Sequence, residues 1–155
     1  MGSISAIYVA PSAAKPMEEA HTALVEAGRG IVGDRYHAAT GTFSRAGREH
    51  EDRRHVTLIE SEAIAAVARD YDIAFEPRDS RRNLVTRGVA LNHLVGAEFV
   101  VGTVRLRGIK LCEPCAHLEK VVGVPVRDPL RHRGGLNCEV LEGGTISVGD
   151  TVRTG

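Results

Sequence analysis

The chain has 155 residues, of which 43% are hydrophobic and 26% charged, and its formal net charge at pH 7 is zero. A chain of this length and apolar content fits one ordinary domain with a core, which excludes wholesale disorder. The balanced charge predicts neither nucleic acid nor a membrane surface as a partner, and no apolar run reaches the roughly 18 residues of a transmembrane helix.

The first half of the chain predicts strands, helices and one long loop. Residues 3–11 are rich in β-forming residues and stop at a proline, which predicts a strand. Residues 16–28 begin with proline, continue with acidic residues and end in glycine, which predicts an amphipathic helix. The glycine-rich residues 28–54 have no sustained period and predict a long functional loop. A strand at 55–60 and a helix at 60–72 follow.

The second half is predicted to consist mostly of strands. Short strands are expected at 84–86, 98–101 and 104–111, and two more after residue 137 are joined at Gly143 and Gly144. A short helix follows the "LCEP" segment, and residues 126–135 predict a helical turn. The expected fold class is therefore mainly β (α+β), barrel-like, with two or three helices, in a single domain covering 1–155.

Two of the three cysteines, Cys112 and Cys115, form a C-x-x-C pair that allows three interpretations. A structural zinc site needs four ligands, which Cys138 and the nearby His117 do not complete in a usual spacing. A thioredoxin-type pair opens a helix inside a βαβ unit, whereas this pair follows a strand that leaves a hairpin. The third interpretation is one special thiol. Cys115 lies at the start of a helix, which favours a thiolate that is both a nucleophile and a soft metal ligand.

The other two cysteines, Cys112 and Cys138, are expected in the core, because free cysteine is commonly buried. An inert Cys115 stays open as an alternative. The odd number of cysteines and the absence of a charged signal-peptide start predict free thiols and a cytoplasmic location.

Seventeen of the twenty basic residues are arginines, which is typical either of GC-rich codon usage or of anion recognition. Three arginine-bearing patches are near glycines or a strand start, where guanidinium and backbone N–H groups meet an anion. Solvated loop arginines would give the same pattern. The candidate cofactor-binding residues in these patches are Asp34, Arg35, Arg81, Arg82, Asn83 and Arg133.

Three histidines are candidates for proton transfer near neutral pH. They are His37, His117 and His132, and each lies in or beside one of the patches or the cysteine pair. Nothing in the sequence selects one of them.

Five further segments of the sequence are informative in their order and spacing. They are GRGIVGDRY, RHVTLIESEAI, RRNLVTRGVALNHLVG, LCEPCAHLE and RHRGGLNCEVLEGGTISVGD. Together they resemble the MOSC domain from about residue 28 to residue 152. This is the C-terminal domain of molybdenum cofactor sulfurase, which is also found alone in small bacterial proteins. The resemblance implies a mainly β, barrel-like fold that binds the molybdenum cofactor, a molybdopterin whose dithiolene holds molybdenum.

The resemblance also implies roles for particular residues. The family cysteine maps onto Cys115, which would be a molybdenum ligand or would carry sulfur. Arg81 and Asn83 match the residues that hold the pterin phosphate and ring, and Asp34 and Arg35 belong to the family's Gly-Asp-Arg element.

Two features depart from the amidoxime-reducing relatives. Those relatives have serine where this chain has Glu113, and a carboxylate beside an anionic cofactor is unfavourable unless it points away. They also have a separate N-terminal barrel that helps to enclose the cofactor, so here we expect a cofactor that is more exposed, weakly held, or enclosed by a second copy of the chain in a homodimer. The sequence has no zinc, haem or flavin motif and no pyridoxal-phosphate module, so an external electron donor or a cysteine desulfurase is the expected partner.

Three functions follow as expectations. The first is a molybdenum-dependent oxidoreductase of N-hydroxylated or related small molecules, with Cys115 as the metal ligand. The second is a sulfur carrier that holds a persulfide on Cys115 and delivers it to a metal–sulfur centre. The third is a non-catalytic binding or assembly module in which this thiol is inert.

Overall fold

A computed structural model describes residues 2–38 and 54–154, which form strands joined by two short α-helices. The strands are β1 (Gly2–Val9), β2 (Glu18–Ala20), β3 (Thr22–Glu26), β4 (Gly30–Ile31), β5 (Val56–Glu60), β6 (Leu84–Arg87), β7 (Glu98–Val101), β8 (Val104–Leu111), β9 (Leu136–Glu142), β10 (Gly144–Ser147) and β11 (Thr151–Arg153). The α-helices are α1 (Ser61–Tyr71) and α2 (Ala116–Val122), and single 3₁₀ turns cover Pro77–Ser80 and Leu91–Leu94.

Seven strands close into a barrel in the order β11-β7-β8-β9-β5-β6-β1. The closure is made by β1 and β11, where Gly2 pairs with Val152 and Ser3 with Thr151. Closure removes the two free edges that an open sheet would expose. The observed fold confirms the prediction of a mainly β, barrel-like fold with two or three helices, of which the described residues contain two α-helices.

Alternate residues of the barrel strands supply two hydrophobic clusters. On β5, Val56 and Leu58 pack in the larger cluster with residues from most of the other barrel strands. The next residue, Ile59, packs instead in a second cluster with Val67 of α1 and Leu118 of α2. Each fully buried aliphatic side chain contributes about 1.5–3 kcal/mol. The second cluster therefore fixes α2, and with it the residue that precedes the helix, against the barrel.

The predicted helix over 16–28 is wrong, because this segment forms β2 and β3. Along β3, Ala23 and Val25 are buried while their neighbours are exposed, which is the period-two burial of a strand. Leu24, which lies between them, is 56% exposed. The strand pairs with β10 and β4 in a small second sheet, so tertiary pairing overrides the helix-like ends of the segment.

The remaining predicted elements differ less from the structure. The strands at 55–60, 84–86, 98–101 and 104–111 and the helices at 60–72 and after Pro114 are confirmed. The chain closes with three strands instead of two, because its last residues form the additional strand β11, which pairs with β1 and β7. The two predicted strands, β9 and β10, belong to different sheets. Residues 127–133 form successive turns, and the predicted loop contains β4 before it reaches residues 39–53, which lie outside the described residues. None of the helices described is long and apolar enough to cross a membrane.

Candidate functional site

Four of the predicted site residues meet in one small cleft at the rim of the barrel. The cleft has a volume of about 50 Å³. Its walls come from the segment after β4, the segment before β6 and the start of α2. The lining residues are Ala14, Arg35, Tyr36, Arg81, Arg82, Cys115, His117 and Leu118. The fold thus brings distant arginines to the cysteine that the sequence singled out.

Asp34 orients Arg35 from beneath the cleft. The buried carboxylate accepts hydrogen bonds from the backbone N–H groups of Ala10 and Tyr36, at 3.1 and 3.2 Å. Its Oδ1 also accepts one from Nη1 of Arg35 at 3.1 Å. The guanidinium lies 4.5 Å from the centre of the Tyr36 ring, and its Nη2 donates to the carbonyl oxygen of Arg81 at 2.8 Å. Asp34 is thus a support for Arg35 and is not a wall of the cleft.

Arg81 occupies a strained backbone position. Its φ of 59° is in the left-handed region, which costs a residue other than glycine about 1–2 kcal/mol. Nη1 donates to the carbonyl oxygen of Lys15 at 2.7 Å. Burial lowers the pKa of the guanidinium, and the charge of Arg35 lowers it further. Strain and like-charge repulsion at one position are typical of a functional site.

The cleft concentrates positive charge that the described residues, 2–38 and 54–154, balance only in part. Arg35, Arg81 and Arg82 are only 5%, 9% and 8% exposed. Asp34 forms an ion pair with Arg35, whereas no carboxylate of the described segments forms an ion pair with either of the other two. Buried charge is costly unless it is paired. The arrangement is therefore suited to an anionic ligand.

Arg82 ties the cleft to the segment that carries the cysteines. Its Nε donates to the carbonyl oxygen of Gly134 at 2.8 Å, and its Nη2 donates to that of Cys112 at 3.0 Å. Nη1 lies 3.3 Å from the carbonyl oxygen of Ser80. The donors of this guanidinium are thus used largely within the protein, although its charge still faces the cleft.

Cys115 is the N-cap residue of α2, and its side chain makes no capping hydrogen bond. The residue is half-buried and packs against the second hydrophobic cluster. Cys112 is also half-buried, so the prediction that it lies in the core is wrong. Cys138 is fully buried as predicted, and burial raises the pKa of its thiol well above the usual value. Within residues 2–38 and 54–154, no three His, Cys, Asp or Glu residues cluster to hold a metal.

Besides Asp34, two further predicted cofactor-binding residues lie outside the cleft lining. Asn83 is 0% exposed, and its amide joins Thr57 on β5 to the carbonyl oxygen of Tyr8 on β1. Arg133 lines a separate depression of about 580 Å³, beside Tyr71. Contact of Asn83 and Arg133 with a cofactor therefore stays a prediction that this geometry does not favour.

The structure also places residues on which the sequence gave little guidance. Of the three candidate histidines, His117 lines the cleft, whereas His37 pairs with Glu26 and His132 with Glu113. The Glu113 carboxylate thus has a partner outside the cleft. Tyr36 was not predicted, although its position directly after the Gly-Asp-Arg element was an available signal.

The domain is a closed, mainly β barrel with an arginine-lined cleft that also contains a half-buried thiol. A model of the family described as MOSC domain matches residues 34–153, which is 120 of the 155 residues. The chain belongs to the MOSC domain family.

Several crystal structures share the fold. The YuaD protein from Bacillus subtilis has a TM-score of 0.78 at 18% identity, and the match covers 98% of this chain and 94% of that one. YiiM from Geobacillus stearothermophilus has a TM-score of 0.74 at 16% identity, covering 100% and 75%. YiiM from Escherichia coli has a TM-score of 0.68 at 14% identity, covering 99% and 69%. No curated protein matches the chain.

Proposed function

We propose that the cleft binds the molybdenum cofactor, with Cys115 as the molybdenum ligand, and that the domain is an oxidoreductase of N-hydroxylated or related small molecules. The observation that carries the proposal is a cluster of three buried guanidiniums beside a half-buried thiol, with one paired carboxylate among the described residues. Membership of the MOSC family supports it, since the cofactor is associated with that family.

The residues fit the anionic end of such a cofactor. Arg35 and Arg81 would hold a phosphate by charge-assisted hydrogen bonds, and this would offset their mutual repulsion. The Cys115 sulfur is the soft ligand that molybdenum favours. When bound, molybdenum would supply the oxygen-transfer and two-electron chemistry, with electrons from an external donor. His117, at the cleft wall, would deliver protons to the oxygen that leaves as water.

The size of the cleft limits how the cofactor is held. Pockets that enclose a small organic molecule usually measure about 300–1,000 Å³, several times the volume found here. The cleft as it stands would have room only for a small anionic group such as a phosphate. A second copy of the chain or the electron donor would cover the rest of the cofactor.

The proposal is tested on protein purified from a host supplied with molybdate. We expect molybdenum in the purified protein, together with the fluorescence of oxidised pterin in the same fractions. Protein with neither molybdenum nor pterin, from a host that loads a control molybdoenzyme, would refute it.

A second candidate function is sulfur transfer. It is favoured by the same small cleft and by the Cys115 thiol, which makes no capping hydrogen bond. As a sulfur carrier, Cys115 would attack the outer sulfur of a desulfurase persulfide as a thiolate. The persulfide would pass to Cys115, and the desulfurase cysteine would leave as a thiol. Mass spectrometry after incubation with a desulfurase and cysteine would then show about one added sulfur on Cys115. A non-catalytic module would show neither bound molybdenum nor added sulfur.

A further inference from the structure

We infer that Glu113 is a positioning residue that holds the turn bearing Cys115, and that it acts through His132. The role rests on the proposed function, because the position of the turn matters only if Cys115 is the working thiol.

Glu113 uses both carboxylate oxygens on one residue. Its Oε1 accepts the backbone N–H of His132 at 2.7 Å, and its Oε2 lies 2.7 Å from the ring Nδ1 of the same residue. The carbonyl oxygen of His132 accepts a hydrogen bond from the Asn92 side chain at 2.6 Å. His132 has a φ of 61°, a left-handed conformation that persists only where the surroundings hold it. Glu113 supplies two of these three contacts.

The segment after His132 packs directly on the cysteine turn. The backbone N–H of Cys112 donates to the carbonyl oxygen of Gly135 at 2.7 Å. A Cβ atom on Gly134 would lie 2.5 Å from the carbonyl oxygen of Cys112 and 3.0 Å from Cδ of Pro114, so only glycine fits. The cysteine turn and the segment after His132 therefore pack as one unit. Glu113 is the side chain of the turn that binds His132.

The contact has a consequence for the thiol. Without the two contacts from Glu113, the His132 backbone can leave the left-handed region. Gly134 would then no longer pack closely against Cys112 and Pro114. Cys115 follows Glu113 by two residues and lies at the start of a helix of only seven residues. Its half-buried thiol would then be exposed more often.

The test is the rate at which iodoacetamide alkylates Cys115 in the bare protein, with the modified cysteine identified by fragment mass spectrometry. Glu113→Ala should raise the rate about fivefold, which corresponds to the loss of a net hydrogen-bond contribution of about 1 kcal/mol. Glu113→Gln should stay close to wild type, because its amide oxygen and nitrogen can replace both contacts. Glu119→Ala is the matched control, since it removes a neighbouring ion pair, with Arg127, on α2.

Two results would overturn the inference. One is an alkylation rate in Glu113→Ala equal to that of Glu119→Ala, even if both variants unfold at lower temperature, because Glu113 would then be merely structural. The other is a Glu113→Gln rate as high as that of Glu113→Ala. Neither result depends on bound cofactor, so the inference and the proposed function fail separately.

Discussion

The Nη2 atom of Arg82 lies 3.0 Å from the carbonyl oxygen of Cys112, and through this contact the arginine cleft and the cysteine turn form one structural unit. The same guanidinium reaches Gly134 on the neighbouring segment. Arg82 is therefore both a source of positive charge and a bridge between two backbone segments.

Arg82→Lys keeps the charge and removes the bridge, because an ammonium group cannot span carbonyl oxygens as a planar guanidinium does. We expect the free energy of unfolding to fall by about 1–3 kcal/mol, the cost of leaving buried carbonyl groups unpaired. Urea denaturation measures this change in the free energy of unfolding. Arg87→Lys, which changes an exposed arginine, is the control. Equal stability of the two variants would show that the bridge contributes nothing.

Arg81→Gln should separate stability from anion binding. It removes a buried cation whose pKa is lowered by burial and by Arg35, so the bare protein should be at least as stable as wild type. Inorganic phosphate should raise the melting temperature of wild type by mass action and leave that of the variant unchanged. Thermal unfolding with and without phosphate provides both readings. A phosphate effect of the same size in the variant would mean that Arg81 does not bind the anion.

Asn83→Ala should lower the free energy of unfolding. The substitution leaves the backbone N–H of Thr57 and the carbonyl oxygen of Tyr8 unpaired in a fully buried position. We expect a loss of about 2–4 kcal/mol by urea denaturation. Asn92→Ala, at an exposed asparagine, is the control and should cost much less. A stable Asn83→Ala protein with weakened cofactor binding would instead support the role that the family resemblance implies.

Glu60 should make the protein less stable as the pH rises. Burial raises the pKa of its carboxyl above the ordinary value of 4.5, and the charge of Glu62 adds to this, whereas the Leu91 N–H and His93 oppose it. The folded state thus binds the proton more tightly than the unfolded state. This contribution is complete below the ordinary pKa and is lost as pH rises through the raised value.

Glu60→Gln should therefore melt at a higher temperature than wild type near neutral pH, and the difference should disappear in acid. Melting curves across this range are the measurement, with Glu142→Gln as an exposed control. A difference that is constant with pH would show that Glu60 does not titrate in this way.

Much of the barrel was predictable because its strands carry local signals. The turn at Gly102 and the run from Val104 to Leu111 show the alternation and glycine spacing of a hairpin. The segment that forms β3 was wrongly predicted as a helix because its ends resemble helix caps. It forms a strand because it pairs with β10, more than a hundred residues later. No local pattern contains that information.

The site was predictable in part for the same reason. Cys115, Arg35 and Arg81 were recognised as residue types suited to anions and soft metals, and they do meet. The sequence could not show that Asn83 directs its amide into a network between strands, or that Glu113 is held by His132. Side-chain direction at a strand end or a turn depends on neighbours that are distant along the chain.

The most direct test of the account is the molybdenum content of Cys115→Ser compared with Cys112→Ser, each purified from a molybdate-supplied host. Both variants make the same chemical change three residues apart, and both thiols are half-buried. The account predicts that Cys112→Ser retains molybdenum at the wild-type level and that Cys115→Ser loses most of it. Molybdenum retained equally in both variants would contradict the assignment of Cys115 as the ligand.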